Sequence, residues 1–358
     1  MAIRVAHVGT GNVGRLALNA LITDPRYDLT AVWVSSPDKV GQDAGTLAGM
    51  RPTGIIATND LDAVLATRPD CVVYCAMADN RTGQAMKDCR RILEAGINVV
   101  GSAPVPLQYP WGVLPEKYIE PIETAALHSQ SSLFITGIDP GFINDLIPLA
   151  FASTCVSVEQ VRCMEIADYA TYDGATVLFD VMGFGTRASV IPLQLQPGVL
   201  AAAWGSSIRQ LAAGLEIDID EITETYERDY ATEGFDVSAG QIPAGGQAAL
   251  RFEIHGMKAG RPIIVIEHVT RLREDLRPDW PQPAQPGGSY RIEIAGEPSY
   301  SVDICPTSRR GDHNHAAIVG AAGRIVNAIP AVVAAPPGIR NTLDLPLFAA
   351  SHSSVVTS

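Results

Sequence analysis

The chain has 358 residues, 47% of them hydrophobic. That is enough for two domains of about 150 residues each, and it argues against disorder. A net charge of −13 is wrong for sequence-independent nucleic-acid binding, which runs on clustered Lys and Arg. The six cysteines are scattered without a CxxC pair, as expected of reduced thiols in a cytoplasmic protein rather than a disulfide framework. No signal peptide is expected, because the chain runs directly into a strand.

In chain order, Ile3 to Val8 reads as a first strand. Val13, Leu16, Ala17, Ala20 and Leu21 then mark one face of a helix. Strands are expected at Leu29 to Val34, Ile55 to Thr58, Cys71 to Ala76, Asn98 to Gly101 and Leu133 to Thr136. Between them, helices are expected at Leu61 to Ala66, Thr82 to Ala95 and Glu116 to Gln130. This alternation implies a parallel sheet with crossover helices. Beyond it, Val158 to Ile166 reads as a strand and Ala188 to Leu215 as largely helical, broken at Pro197-Gly198. One hairpin is expected from Arg251 to His255 and Ile263 to Leu272 around a turn over 256–262. A second is expected from Tyr290 to Ile294 and Ser299 to Ile304. The proline-rich stretch 277–288 reads as a surface loop, an arm or lid. His313 to Ile329 is a helix that Asp312 caps and that returns to the first domain. The apolar stretch 316–339 is interrupted by Arg324, Asn327, Pro330, Pro336 and Pro337, so it reads as a buried helix and a loop, not a membrane span.

The expected fold class is α/β. It comprises an N-terminal Rossmann domain with a doubly wound parallel sheet (1–140), a second α+β domain on a mixed or antiparallel sheet (141–310), and a C-terminal helix and tail (311–358).

Gly9-Thr10-Gly11-Asn12-Val13-Gly14 lies between the first strand and the first helix, the context a dinucleotide fingerprint requires. Gly9 permits the tight turn, Gly11 lets backbone approach a pyrophosphate, and Gly14 lets the helix pack closely; the helix N-terminus offers N–H groups to phosphate. Where an NAD site places Asp or Glu, this chain has Ser35 and Ser36, followed by Lys39. Two hydroxyls and an ammonium suit a 2′-phosphate, so the reading is NADP. NAD stays open, with the serines capping a turn and Asp38 serving the ribose. Loops at the ends of the central strands, with Ala76, Met77, Asn80 and Ser102, are the candidates for the cofactor's reactive end.

No Ser-Tyr-x-x-x-Lys pattern and no zinc-ligand cluster stands out, and no metal is expected. His313 and His315 are two apart at a helix start and diverge, so they read as solvent-facing or polar-bridging. The turn Gly137 to Asp145 joins the halves, with Phe142 expected to begin a helix whose amides face a cleft. Glu165, Asp168, Tyr169 and Tyr172 cluster after a strand and either line a substrate pocket or form a solvated edge. Glu267 and His268 face opposite ways, so at most one reaches a cleft. Phe142, Trp204, Tyr169 and Tyr172 are the aromatic candidates for an apolar pocket.

The glycine turn resembles that of the dihydrodipicolinate-reductase-like superfamily. So do Ser35-Ser36-Pro37-Asp38-Lys39-Val40-Gly41, Asp139-Pro140-Gly141-Phe142, Val326 to Pro330 and Ala335 to Ile339. The narrower resemblance is to its 2,4-diaminopentanoate dehydrogenase and native amine dehydrogenase branch. The His-rich, Lys-containing substrate loop of true dihydrodipicolinate reductases is absent. The resemblance implies NAD(P)-dependent interconversion of a small amine with a ketone or aldehyde and ammonia, by hydride transfer at the iminium carbon. It also points to a homodimer, formed through the antiparallel sheet. Relatives use a Glu from the loop after the strand Asn98 to Gly101. Here Val105-Pro106-Leu107-Gln108-Tyr109 carries no carboxylate, and Gln108 cannot accept a proton at neutral pH. Three explanations stay open: Gln108 replaces the catalytic acid, a second-domain carboxylate such as Glu165 or Asp168 serves instead (with Tyr169 a further catalytic candidate), or the chain reduces another C=N or C=O group. A non-catalytic NADP-binding sensor or scaffold is the alternative from a different class. No membrane or nucleic-acid partner is expected.

Overall fold

The apolar run β1 (Ile3–Val8) is an interior strand of a six-stranded parallel sheet, one place in from an edge. The structure is a computed structural model that describes residues 2–78, 81–309 and 312–351. After β1 come α1 (Asn12–Thr23), β2 (Tyr27–Trp33), α2 (Ala44–Leu47), α3 (Leu61–Ala66), β3 (Cys71–Tyr74), α4 (Thr82–Glu94), β4 (Asn98–Gly101), α5 (Glu116–His128) and β5 (Ser132–Ile135). The second half holds α6 (Leu146–Ala152), β6 (Ser157–Asp168), α7 (Val199–Gly214), β7 (Glu221–Tyr230), β8 (Phe235–Val237), β9 (Gly240–Ile242), β10 (Gln247–Lys258), β11 (Arg261–Arg271), β12 (Gly288–Glu297) and β13 (Tyr300–Ile304). The chain closes with α8 (His313–Val333) and β14 (Gly338–Arg340). Two compact units result: Met1–Ile138 with Ile318–Ser358, and Asp139–Ala317.

In the first unit the strand order is β14-β5-β4-β3-β1-β2, all parallel. Alternate residues serve opposite faces. Val5, Val73, Val100 and Phe134 pack against Ala17 and Leu21 of α1 and Ile325, Ile329 and Val332 of α8. Ala6, Val72, Val99 and Leu133 pack against Ala85 and Ile92 of α4 and Ile119 and Ile122 of α5. Burial on both faces explains why these strands read as unbroken apolar runs. By length and composition α8 could cross a membrane, but its Ala322, Ile325, Val326, Ala328, Ile329 and Val332 are core residues of this unit. Ile55 to Thr58 is not a sheet strand: it makes only isolated bridges, Thr58 to Trp33 and Ile56 to Asp43.

In the second unit the order is β13-β12-β6-β11-β10-β7, with β6 and β11 parallel and the other pairs antiparallel. α7 covers β7, β10 and β11. Residues 188–192 are not helical; a short 3-10 turn, Leu193–Leu195, precedes α7. The expected turn over 256–262 shrinks to Ala259 and Gly260, both at positive φ, so the two strands run on to Lys258 and from Arg261. β7 escapes the sequence pattern because it is an edge strand rich in Glu, Arg and Asp, a composition that discourages edge pairing. Phe142 begins no helix: non-helical dihedrals run through Asp139, Pro140 and Gly141, and α6 starts at Leu146 with Asp145 as its cap. The loop 277–288 is no free arm. Buried Arg271 donates to the carbonyls of Leu276 (2.8 Å), Arg277 (3.0 Å) and Pro281 (3.0 Å), and Trp280 is buried.

Candidate active site

The glycine turn is shaped by what cannot fit into it. Gly9 has φ +93°, and a Cβ there would lie 2.5 Å from the Ala76 nitrogen. A Cβ on Gly14 would lie 2.1 Å from the Gly9 carbonyl oxygen, so α1 approaches the turn as closely as backbone allows. A Cβ on Gly11 would meet nothing within 4 Å, which leaves its outer side open to a ligand. Gly11 caps α1 without a side-chain hydrogen bond. Beneath the turn, fully buried His7 has its pKa pulled down to about 4 by burial, although backbone contacts oppose this. It is therefore neutral, and its Nε2–H donates to the Gly9 carbonyl at 2.6 Å. The arrangement fits a dinucleotide pyrophosphate at an uncapped helix N-terminus.

Lys39 Nζ reaches the Thr10 carbonyl (3.1 Å) and Oγ1 (3.3 Å), which places an ammonium beside this turn. Ser35 is exposed, and Ser36 precedes the Pro37–Lys39 turn without capping it. A cavity of about 340 Å³ opens at the carboxyl ends of β1, β2 and β3, lined by Val8, Trp33, Asp60, Leu61, Tyr74 and Arg81 among others. At the ends of β4 and β5, Gln108 is buried in a short 3-10 turn. Its Nε2, like Thr136 Oγ1, has no hydrogen-bond partner among the described residues.

The second unit builds its polar cluster from sheet register. Tyr290 of β12 pairs with Glu165 of β6, Glu165 with His268 of β11, and His268 with Phe252 of β10. Paired residues share a face, so these four side chains form one row across the sheet. Asp139 completes it. His268 donates through Nε2 to Asp139 Oδ1 (3.0 Å), and its Nδ1 lies 3.3 Å from Glu165 Oε2. Asp139 also accepts from Trp204 Nε1 (2.9 Å) and Asn144 Nδ2 (3.2 Å). The Tyr169 hydroxyl donates to Glu165 Oε1 at 3.3 Å, and the Tyr290 hydroxyl also bonds Glu165. The His268 ring stacks on Phe252 (centroids 4.7 Å apart, 11° between planes) with Trp204 edge-on at 4.8 Å.

Burial dominates the electrostatics. It pushes Glu165 up to about 7, reinforced by the Asp139 charge and opposed by His268 and the two tyrosines. For Asp139, burial acts upward, but His268, Trp204 and Asn144 together hold the carboxyl below its ordinary value. For His268, burial acts downward, but the charges and hydrogen bonds of its carboxylate neighbours raise it overall. Burial first, then the Glu165 charge, pushes both Tyr169 and Tyr290 well above the usual phenol range, so both stay neutral donors. One carboxylate is thus fixed as an anion and the other is poised to exchange a proton near neutrality, a division that acid–base sites use. Ligand atoms of Asp139, Glu165 and His268 lie within 4.8 Å of one another. The imidazole nevertheless points a different nitrogen at each carboxylate, so the three form a chain rather than a convergent metal shell.

The chain is similar to known proteins over nearly its whole length. Residues 142–358 match the family model described as 2,4-diaminopentanoate dehydrogenase C-terminal domain, and residues 3–100 match that of the dihydrodipicolinate reductase N-terminus. The chain is 40% identical over 342 residues to an amine dehydrogenase of Streptomyces virginiae, covering 95% of each protein. It is 26% identical over 292 residues to the 2,4-diaminopentanoate dehydrogenase of Acetoanaerobium sticklandii, covering 80% of this chain and 76% of that one. The chain belongs to the 2,4-diaminopentanoate dehydrogenase family. Its fold matches the structure of an amine dehydrogenase from Mycobacterium smegmatis, with TM-score 0.79 at 22% identity over 98% of both chains.

Against the expectations for this family member, Thr10, Asn12 and Val13 lie at the turn and opening of α1. Ala76 is buried, Met77 is exposed, and Asn80 lies outside the described residues. Ser102 hydrogen-bonds the Cys75 thiol. Glu165, Tyr169 and Trp204 are brought together. Tyr172 joins them at one remove, its ring 5.3 Å from that of Tyr169. Asp168 is three residues beyond Glu165 and turns instead to the Ala170 amide (2.8 Å). Phe142 is half-buried in the irregular segment before α6. The expectation that His313 and His315 face solvent or bridge polar groups is wrong. Their ring nitrogens are buried without partners among the described residues, and the His313 ring lies 5.2 Å from that of Tyr290. Burial keeps His313 neutral, with its pKa lowered to about 4. Sequence reasoning did not assign Asp139, His268, Tyr290, Phe252 and Asn144 to the site. The alternation of Glu267 and His268 was the available signal: Glu267 pairs with Arg162 and Arg251 on the opposite face.

Proposed function

We propose that this chain is an NADP-dependent amine dehydrogenase, interconverting a small primary amine with the corresponding ketone or aldehyde and ammonia, with Glu165 as its proton-transfer group. The observation that carries the assignment of Glu165 is its setting: buried, donated to by two neutral phenols, and poised at about 7. With Glu165 ionised, Asp139, His268 and Glu165 together bear one net negative charge in a buried site. A substrate ammonium balances it, and passing the ammonium proton to Glu165 leaves a neutral amine beside a neutral cluster. A dinucleotide held by its pyrophosphate at the glycine turn would supply, through its nicotinamide, the hydride acceptor. In the reverse direction protonated Glu165 returns its proton to nitrogen. Gln108 offers an amide N–H for which the described residues hold no acceptor, which suits a hydrogen bond to a substrate or cofactor oxygen.

Gly9, Gly11, Gly14 and the first turn of α1 would hold the pyrophosphate, with Lys39, Ser35 and Ser36 meeting the 2′-phosphate. Ala76, Met77, Asn80 and Ser102 stay assigned to the nicotinamide end, and Phe142, Tyr172 and Trp204 to substrate. The reading includes a homodimer formed through the second-unit sheet, no nucleic-acid partner, and a cytoplasmic setting. The test is consumption of NADPH with ammonium and a panel of small ketones and aldehydes, run beside NADH. Lys39→Ala is expected to raise KM for NADPH about 10-fold or more, the loss of one charge-assisted contact, and to leave KM for NADH nearly unchanged. Tight NADPH binding without turnover of any carbonyl would instead favour a dinucleotide-binding sensor.

A further inference from the structure

His268 occupies a position that a neutral imidazole fills poorly while both of its carboxylate neighbours are ionised. Its two ring nitrogens face carboxylate oxygens on opposite sides, Asp139 Oδ1 at 3.0 Å and Glu165 Oε2 at 3.3 Å. A neutral ring has one N–H and one lone pair, so one nitrogen would set its lone pair against an anion whenever both carboxylates are ionised. The ring has little freedom to escape, being stacked on Phe252 and met edge-on by Trp204. Asp139 is engaged on both oxygens by His268, Trp204 and Asn144, which marks it as the permanent anion of the pair.

We infer that His268 stands as an imidazolium clamped between Asp139 and Glu165, and that this fixed cation sets how readily Glu165 takes and releases a proton. His268 is thus a positioning residue acting through Glu165. Its catalytic consequence rests on the reading of Glu165 as the proton-transfer group. The other titratable groups around the pair do not supply this cation. Tyr169 and Tyr290 are neutral donors on Glu165, and Glu267 faces away to Arg162 and Arg251. Burial keeps the Cys163 thiol protonated, and Asp145 adds only negative charge. His313, beyond Tyr290, is neutral. Without the cation, burial and the Asp139 charge would both act to keep Glu165 protonated, and it would be a poor base at neutral pH.

Two measurements test this. Nitrogen NMR of isotope-labelled histidine, with the His268 signals assigned by their loss in His268→Gln, is expected to show both ring nitrogens protonated at neutral pH and above. A neutral tautomer there would overturn the inference, and where the variant fails to fold, through-bond sequential assignment of the wild-type enzyme identifies the same signals. Infrared titration of the Glu165 carboxyl, assigned by its absence in Glu165→Gln, is expected to move up by about 1–3 pH units in His268→Gln. An unmoved midpoint also overturns it. Neither readout depends on turnover. If the midpoint moves while Glu165→Gln retains full activity, the clamp stands and the proton-transfer reading falls.

Discussion

Glu165→Gln is expected to lower kcat for amine oxidation by about 10²–10⁴-fold, the range for losing a general acid–base group, while the Kd for NADPH stays within about two-fold. The pH dependence should change with it. Oxidation needs the carboxylate, so in the native enzyme its rate rises with pH through about 7 and then levels; reductive amination needs the protonated acid and falls over the same range. Both limbs should vanish in the Gln variant. Stability provides a second check. The folded Glu165 pKa is raised from 4.5 to about 7, so across that window the folded state holds a proton that the unfolded chain has released. Stability contributed by this group is therefore full below about pH 4.5 and lost as pH rises through about 7, a change on the order of 3 kcal/mol. Urea midpoints of the native protein should decline across this window more steeply than those of Glu165→Gln. Parallel declines would remove Glu165 as the titrating group.

Asp139→Ala is expected to destabilise the protein by about 3–5 kcal/mol, the cost of removing one member of a buried ion-paired cluster. The substitution leaves His268 with Glu165 as its remaining carboxylate and strands Trp204 Nε1 and Asn144 Nδ2 without their acceptor. Asp139→Asn keeps the shape and one acceptor oxygen and should cost less. The exposed pair Arg90–Glu94 on α4 gives the scale for comparison: removing it should cost about 0.5 kcal/mol at most. A urea midpoint for Asp139→Ala as close to native as that of the α4 control would show that the cluster does not hold the charges described.

The two halves of the chain differ in how much of their chemistry the sequence discloses. The glycine turn is contiguous, so strand, turn and helix are read in a single pass, and the close approaches at Gly9 and Gly14 follow from local backbone geometry. Glu165 and Tyr169 are near neighbours in sequence and were legible as a cluster. Their partners were not. His268 and Tyr290 come from strands far along the chain, and only the pairings β6 with β11 and β6 with β12 decide that they share a face with Glu165. Alternation could show that Glu267 and His268 point apart, but not which of them meets Glu165. Asp139 reads as a turn residue because it precedes Pro140-Gly141; its role depends on Trp204 and His268, both distant in sequence. The burial of the histidines at the start of α8 is not legible in sequence because a helix N-terminus is ordinarily wet, whereas here the His313 ring lies over Gly288 and beside Tyr290.

The row across the second sheet has a consequence for how this chain can change. Each member stands on a different strand, so a single inserted or deleted residue within β6, β11 or β12 would turn the following side chains to the opposite face and take one member out of the row. The tips at Ala259-Gly260 and Pro298-Ser299 lie outside the row, and length there can vary without disturbing it. Length variation among relatives should therefore gather at the hairpin tips, while the strand interiors accept substitutions but not insertions or deletions.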